Sequence, residues 1–422
     1  MRSAELPLRD AGASSRPRDC FILCASVFLR SISTGAVGVL LGIYLSRVGL
    51  SARDLSFVVA AGLAGGAAGT LLVTMAGERV PRRGTLALVA LLSGIGCLSF
   101  SFTSSLSVLS AVAFLGMLNG MGRDRGAAVV LESAILPQTV PSNQRTYAFA
   151  GYHFLQDAGL ALGALLAGLP AVMRHGFSLE EMAAFRVTFC ACAFLSLAPG
   201  ILILFLSRGL EPKSKERTIP LSPEGRRVIW GISALFLIDS LAGGFLTTAL
   251  LSYFFFERFA VGEGVVALLF FGARVLNSLS HLAAAWLSRR IGLLNTMVFT
   301  HIPSSLLLGT AVLAPSFPVA ATLFLLREGL VEMDVPTRQS YVMAVVRPSE
   351  RIVASGVTHL VRVTGWAMGP WLAGLMMQGT PLAAPFLAGA GLKITYDALL
   401  FTAFRKLKPP EERDEAKPGE GS

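Results

Sequence analysis

Charge is the scarcest commodity in this chain. Only 15% of its 422 residues are charged, against about 25% in an ordinary soluble domain. Cysteine is sparse too: Cys20, Cys24, Cys97, Cys190 and Cys192 make an odd set of five in or beside apolar runs. They form no disulfide framework and read as small packing residues. The chain has no His-Glu-x-x-His, no Gly-x-Ser-x-Gly and no metal-ligand cluster, so no metal, no cofactor and no enzymatic activity is expected. It also has no Gly-x4-Gly-Lys-Ser/Thr loop, which excludes ATP binding through a phosphate loop.

Apolar residues are what the sequence has in excess: 53% are hydrophobic and the mean hydropathy is +0.64. A soluble protein of this size would expose too much apolar surface. One membrane span takes about 20 apolar residues, so twelve spans are within reach. Hydropathy places them near 20–45, 55–76, 85–102, 107–135, 147–172, 183–206, 228–256, 264–287, 295–314, 319–343, 352–377 and 383–404. The expected class is an all-α polytopic membrane protein of twelve transmembrane helices. The expected layout is a tail 1–19, a six-helix bundle 20–206, a linker 207–227, a second bundle 228–406 and a disordered tail 407–422.

The net charge of +10 would suggest nucleic acid in a soluble protein. With both termini cytoplasmic, the inside segments carry 23 Lys and Arg residues and the outside loops only Arg47, Arg53, Arg174 and Arg258. That bias orients the chain and accounts for the basic balance without a nucleic-acid partner. The expected location is the cell (inner) membrane.

The halves look repeated. Residues 145–168 shifted by 206 positions match 351–374 at nine of 24 places, including Arg145/Arg351, His153/His359 and Gly159/Gly365. Spans 1 and 7 align as Arg30-Ser31, Gly35, Tyr44 against Asp239-Ser240, Gly244, Tyr253. Two same-orientation six-helix repeats are one known transporter plan.

The loop after span 2 reads Gly77-Glu78-Arg79-Val80-Pro81-Arg82-Arg83. Glu78, Arg79, Arg82 and Arg83 resemble the loop motif of the major facilitator superfamily, with Thr74 and Pro81 where that motif has glycine. The resemblance implies that the acid docks at the start of helix 11 and gates the outward-facing state. A carboxylate beside a helix N-terminus is stabilised by the dipole. On span 11, Gly356, Gly365, Gly369-Pro370 and Ala373-Gly374 resemble the glycine-proline motif of the family's antiporters, which there belongs to helix 5. Span 5 has Gly159 and Gly163 without the proline. Small residues four apart also allow close helix packing.

Charges inside spans are costly and usually functional. Spans 4 and 10 hold Arg123, Asp124, Arg125 and Glu132, then Arg327, Glu328, Glu332, Asp334 and Arg338. The resemblance makes helices 1, 4, 7 and 10 the cavity lining. These charges are therefore either substrate and proton contacts or salt bridges between halves. Arg30 and Asp239 sit at equivalent points of spans 1 and 7 and are expected to form, or alternately form and break, an ion pair across the cavity. Lys393 and Asp397, one turn apart, are expected to pair locally. Arg274, Asn277 and His281 share a face of span 8, as an anion contact or as polar packing. Asp157 has no opposite charge within one turn, which suits proton exchange.

The expected function is secondary transport of a small molecule by alternating access, as proton-coupled drug or metabolite efflux by a monomer. Uptake or exchange of an organic anion is the alternative, and a non-transporting receptor or assembly factor on the same fold is a third.

Overall fold

The computed structural model describes residues 16–76, 81–124, 126–141, 144–210, 222–333 and 351–404. Among them there are helices and no strands. The first half contains α1 (Pro17–Arg47), α2 (Ala52–Ala76), α3 (Arg82–Phe100), α4 (Leu106–Leu115), α5 (Ala127–Ile135), α6 (Arg145–Leu166), α7 (Leu169–Phe177) and α8 (Glu181–Leu204). The second contains α9 (Pro223–Phe245), α10 (Thr248–Phe259), α11 (Glu263–Ile291), α12 (Leu293–Leu313), α13 (Phe317–Val331), α14 (Arg351–Met377) and α15 (Ala384–Phe404).

The helix starts follow local chemistry. Pro17 and Pro223 stand in the first turns of α1 and α9, where the missing N–H costs nothing. Ser222 caps α9 by accepting from the Gly225 N–H at 3.1 Å, and the Glu180 carboxylate accepts from the N–H groups of Met182 and Ala183 to cap α8. Gly292, with φ of 86°, separates α11 from α12.

Nine helical segments among the described residues are long and apolar enough to cross a membrane. The other three expected spans show why they fall short. Span 4 is interrupted between Leu115 and Ala127. The described helix of span 10 is 15 residues long. Span 11 is long enough but carries Thr358, His359 and Arg362.

Glycines set the packing inside each half. A Cβ at Gly159 would meet the Phe28 carbonyl and Ser31, and one at Gly163 the backbone of Ile32 and Ala36, so α6 lies tight on α1. Likewise Gly365 faces Ser240, and Gly369 faces Gly244 across α14 and α9. Among the described residues, a Cβ at Gly356 meets nothing within 4 Å. Pro370 sits inside α14 without ending it.

Among the described residues the two halves pack tightly at one end. There Gly42 of α1 abuts Ala249 and Tyr253 of α10, and Gly374 of α14 abuts Ser56 of α2. The Ser252 hydroxyl donates to the Val39 carbonyl at 2.7 Å. One hydrophobic core runs through both halves at this end, from Leu40 and Phe189 to Phe254 and Phe324. Polar locks cover it. Arg174 pairs with Glu263 across the halves and with Glu181 at 3.6 Å, Arg47 meets Glu181 at 3.0 Å, and the Ser46 hydroxyl donates to Glu257. At the end nearer the chain termini the cores are separate. Ile22, Leu86, Leu136 and Leu206 cluster within the first half, and Ile232, Met297 and Leu400 within the second. Among the described residues the molecule is therefore parted at its terminus-bearing end.

Candidate functional site

Four glycines, Gly116, Gly120, Gly122 and Gly126, fall within eleven residues of span 4. This density loosens the helix, and the backbone leaves it: Met117 and Gly122 have φ of 51° and 64°. The Asn119 side chain holds the loop, accepting from the Met121 N–H at 3.0 Å and donating to the Arg123 carbonyl. Span 7 breaks opposite, at Leu246–Thr247, and the breaks are bonded across the halves. The Ala249 N–H donates to the Gly120 carbonyl at 2.9 Å and the Thr248 hydroxyl to the Met121 carbonyl at 2.8 Å. Discontinuous helices at the interface between repeats are where transporters build binding sites.

The charged side chains gather around these breaks. Arg123 of span 4 reaches Glu332, just past α13, at 2.7 Å. This is an ion pair between the halves. Arg327 pairs with its neighbour Glu328, which also accepts from the Asn277 side chain at 2.9 Å. Asp239 accepts from Lys393 at 2.9 Å, with Arg362 at 3.6 Å. Lys393 also lies 3.2 Å from His301 Nε2, and His301 Nδ1 is 3.0 Å from Asp397. Lys393 donates, so Nε2 accepts and the ring proton stays on Nδ1, directed at Asp397. The Arg362 guanidinium stacks on Trp366 at 4.7 Å.

Arg274 differs from these. It is 8% exposed, and its guanidinium donates to the Thr248 hydroxyl at 3.1 Å. Arg123, Glu328, Glu332 and Asp157 act on it electrostatically, yet no carboxylate comes within 4 Å of it among the described residues. Among the described residues, the cavity it faces is lined by Arg123, Arg274, Arg327, Arg362 and Lys393 against the acids Asp239, Glu328 and Glu332.

Two expected ion pairs are corrected. Arg30 does not meet Asp239. Its Nε binds Asp124 at 2.7 Å and its two Nη atoms bind Glu132 at 2.7 and 2.6 Å, while the Tyr152 hydroxyl donates to Glu132. Arg30 and Asp239 each pair within their own repeat, because opposite charges on neighbouring helices of the same bundle are nearer than the partner across the cavity. Nor do Lys393 and Asp397 pair directly, since His301 from α12 stands between them. Of the span 10 charges, Arg327 and Glu328 lie on α13 and Glu332 just past its end, while Asp334 and Arg338 lie outside the described residues. So do Glu78, Arg79, Arg125 and the His281 side chain. Asp157 acts electrostatically on Arg123. Arg82 donates to the Leu210 carbonyl at 3.3 Å and Arg83 to that of Leu204, anchoring α3 to the end of α8. His301, Thr248 and Trp366 escaped sequence reasoning. The glycine cluster of span 4 was the available signal for the break beside Thr248, but nothing local marks His301.

A family model described as Major Facilitator Superfamily matches residues 23–333. This chain belongs to that superfamily. Its members' shared architecture accounts for the paired bundles and the cavity between them. A Saccharomyces cerevisiae relative, described as uncharacterized membrane protein YJR124C, is 23% identical over 92% of this chain and 94% of its own length. Solved structures of like fold include a bacterial homolog of the human lysosomal transporter Spinster, inward-facing and occupied. It has a TM-score of 0.73 at 15% identity, covering 92% of this chain and 96% of that one. A D-xylose–proton symporter reaches 0.69 at 17% identity over 94% and 99%. The human organic anion transporter MFSD10 reaches 0.60 at 15% identity over 91% and 99%. This superfamily chain is an integral, multi-pass membrane protein and a transporter, not an enzyme.

Proposed function

We propose that this transporter carries a small organic anion by alternating access and moves it together with protons. The observation that carries the reading is Arg274: a buried guanidinium at the cavity wall, with a hydroxyl as partner and no carboxylate within 4 Å among the described residues. A buried cation is costly without a counter-charge, and an anionic substrate supplies one. The guanidinium fork suits a carboxylate or a phosphate.

The Arg123–Glu332 pair supports proton coupling. A proton on Glu332 would release Arg123 toward the same anion, so proton and anion would favour each other's binding. That linkage is symport. Drug efflux by antiport rested on the glycines of span 11, and Gly365 and Gly369 are accounted for by packing against α9. The fold itself is neutral, since like structures include both an organic anion transporter and a sugar–proton symporter.

The test is flux into proteoliposomes with an imposed pH gradient, using a panel of organic anions, cations and neutral solutes. Anions should accumulate, driven by the proton gradient. Arg274→Gln should lower their flux at least tenfold, in line with the ~1.5–3 kcal/mol of a hydrogen bond to a charged group. Cation or neutral flux that Arg274→Gln leaves unchanged would refute the anion reading.

A further inference from the structure

Beside the charged cavity lies a second one, lined in part by the broken stretch of span 4. Val37, Leu63, Met117, Leu118 and Val363 line it, and it shares Met121, Arg123 and Trp366 with the first. Its own charges are already matched, since Arg30 holds Asp124. Two of its hydroxyls are engaged, since Ser196 donates to Ser33 at 2.8 Å and Ser33 to the Cys192 carbonyl at 2.9 Å; Thr34 and Ser93 also line it. The exposed wall is therefore mainly hydrocarbon, with Trp366 at the junction.

Two glycines on this wall carry the argument further. On α2, Gly62 and Gly65 must be small, because a Cβ there would strike the carbonyls of Leu118 and Phe114. Gly66 lies on the same helix and lines the chamber, yet a Cβ there meets nothing within 4 Å. Gly126, from span 4, is the same. Glycine within a helix is destabilising relative to alanine, and packing gives no reason for it at Gly66. Its effect is to keep the chamber open.

We propose that the substrate is an amphipathic anion. Its acidic head binds at Arg274 and Thr248, and its apolar body fills the chamber of Leu63, Met117 and Val363 beside Trp366. The assignment rests on the anion reading above and adds the body that the head must carry. Joined through Met121, Arg123 and Trp366, the two cavities make one site with a cation-rich arm and an apolar arm. Each burial of a methylene from water raises affinity roughly fourfold, so the apolar arm should dominate selectivity among anions.

Trp366 supplies the readout. Trp230, Trp286 and Trp371 are replaced by Phe, and the full-length protein is placed in phosphatidylcholine nanodiscs. Its fluorescence is then titrated with 11-bromoundecanoate, with 3-bromopropanoate and with a trimethylammonium carrying the same bromoalkyl chain. The long anion should quench saturably and bind at least tenfold tighter than the short one, while the cation should show only unsaturable quenching from the lipid. Gly66→Leu should weaken the long anion at least tenfold and leave the short one unchanged. Gly126→Leu, from the facing wall, repeats the test should Gly66→Leu fail to fold. Arg274→Gln should weaken both anions. If the short anion binds as tightly as the long one and neither glycine variant matters, the amphipathic assignment is overturned and the anion reading stands. If neither anion binds, or Arg274→Gln changes neither, the anion reading falls and takes this proposal with it.

Discussion

Removing Arg30 should cost this protein more stability than removing Arg30 together with both of its acids. Glu132 is fully buried and Asp124 is 8% exposed, and Arg30 bonds both with nitrogen–oxygen distances of 2.6–2.7 Å. Arg30→Met would leave two carboxylates facing each other in low dielectric. Breaking a buried pair from one side costs about 3–5 kcal/mol, whereas replacing all its members by neutral groups is often close to neutral. An unfolding entropy of about 2.1 cal/mol/K per residue spread over 422 residues turns 4 kcal/mol into a fall of about 4 °C in Tm. Spans keep much of their helix when a membrane protein unfolds in detergent, so the entropy is smaller and 4 °C is a lower bound. The assay is thermal unfolding of purified protein, with size-exclusion yield as a second measure. Arg30→Met should lose at least that much, and Arg30→Met/Asp124→Asn/Glu132→Gln should regain most of it. If the triple variant loses as much as the summed single changes, the three residues are not coupled and the reasoning is wrong.

Three other outcomes follow from the fold. Single cysteines at Ser3 and Ser222 should label with an impermeant thiol reagent only from the cytoplasmic side, and ready labelling of either from outside intact cells would reverse the orientation. Glu263→Gln removes the 1% exposed partner of Arg174, so a cysteine at Ser252, fully buried beneath that lock, should label several-fold faster from the far side; an unchanged rate would show that the apolar core alone keeps that end closed. Gly369→Leu drives a side chain into the backbone at Gly244 and should abolish most folded yield, whereas Gly356→Ala enters open space and should leave yield unchanged; equal yields would refute the packing role of the stripe.

The repeat between the halves was legible because it lies in the chain itself, in Arg145/Arg351 and Gly159/Gly365. The likeness did not extend to charge partners. Repeat symmetry placed Arg30 and Asp239 at equivalent heights, but height along a helix says nothing about which neighbour a side chain turns toward. Arg30 turned to Asp124 and Glu132, and Asp239 to Lys393 and Arg362. The antiporter-like glycines were read as either functional or packing, and only the interatomic approach of α14 to α9 supplied the packing account.

Membrane residence, the run of spans, the orientation bias and the superfamily all follow from composition and short motifs. The bilayer acts on each segment separately, and a segment's hydropathy and flanking charge are local properties. The tertiary structure alone decided which charges neutralise one another, that His301 joins Lys393 to Asp397, that spans 4 and 7 break opposite each other, and that Arg274, among the described residues, has no carboxylate within 4 Å. Those outcomes depend on the rotation and close approach of helices distant in the chain. Side-chain pairing in low dielectric is settled by distances of a few ångströms, which no local pattern encodes.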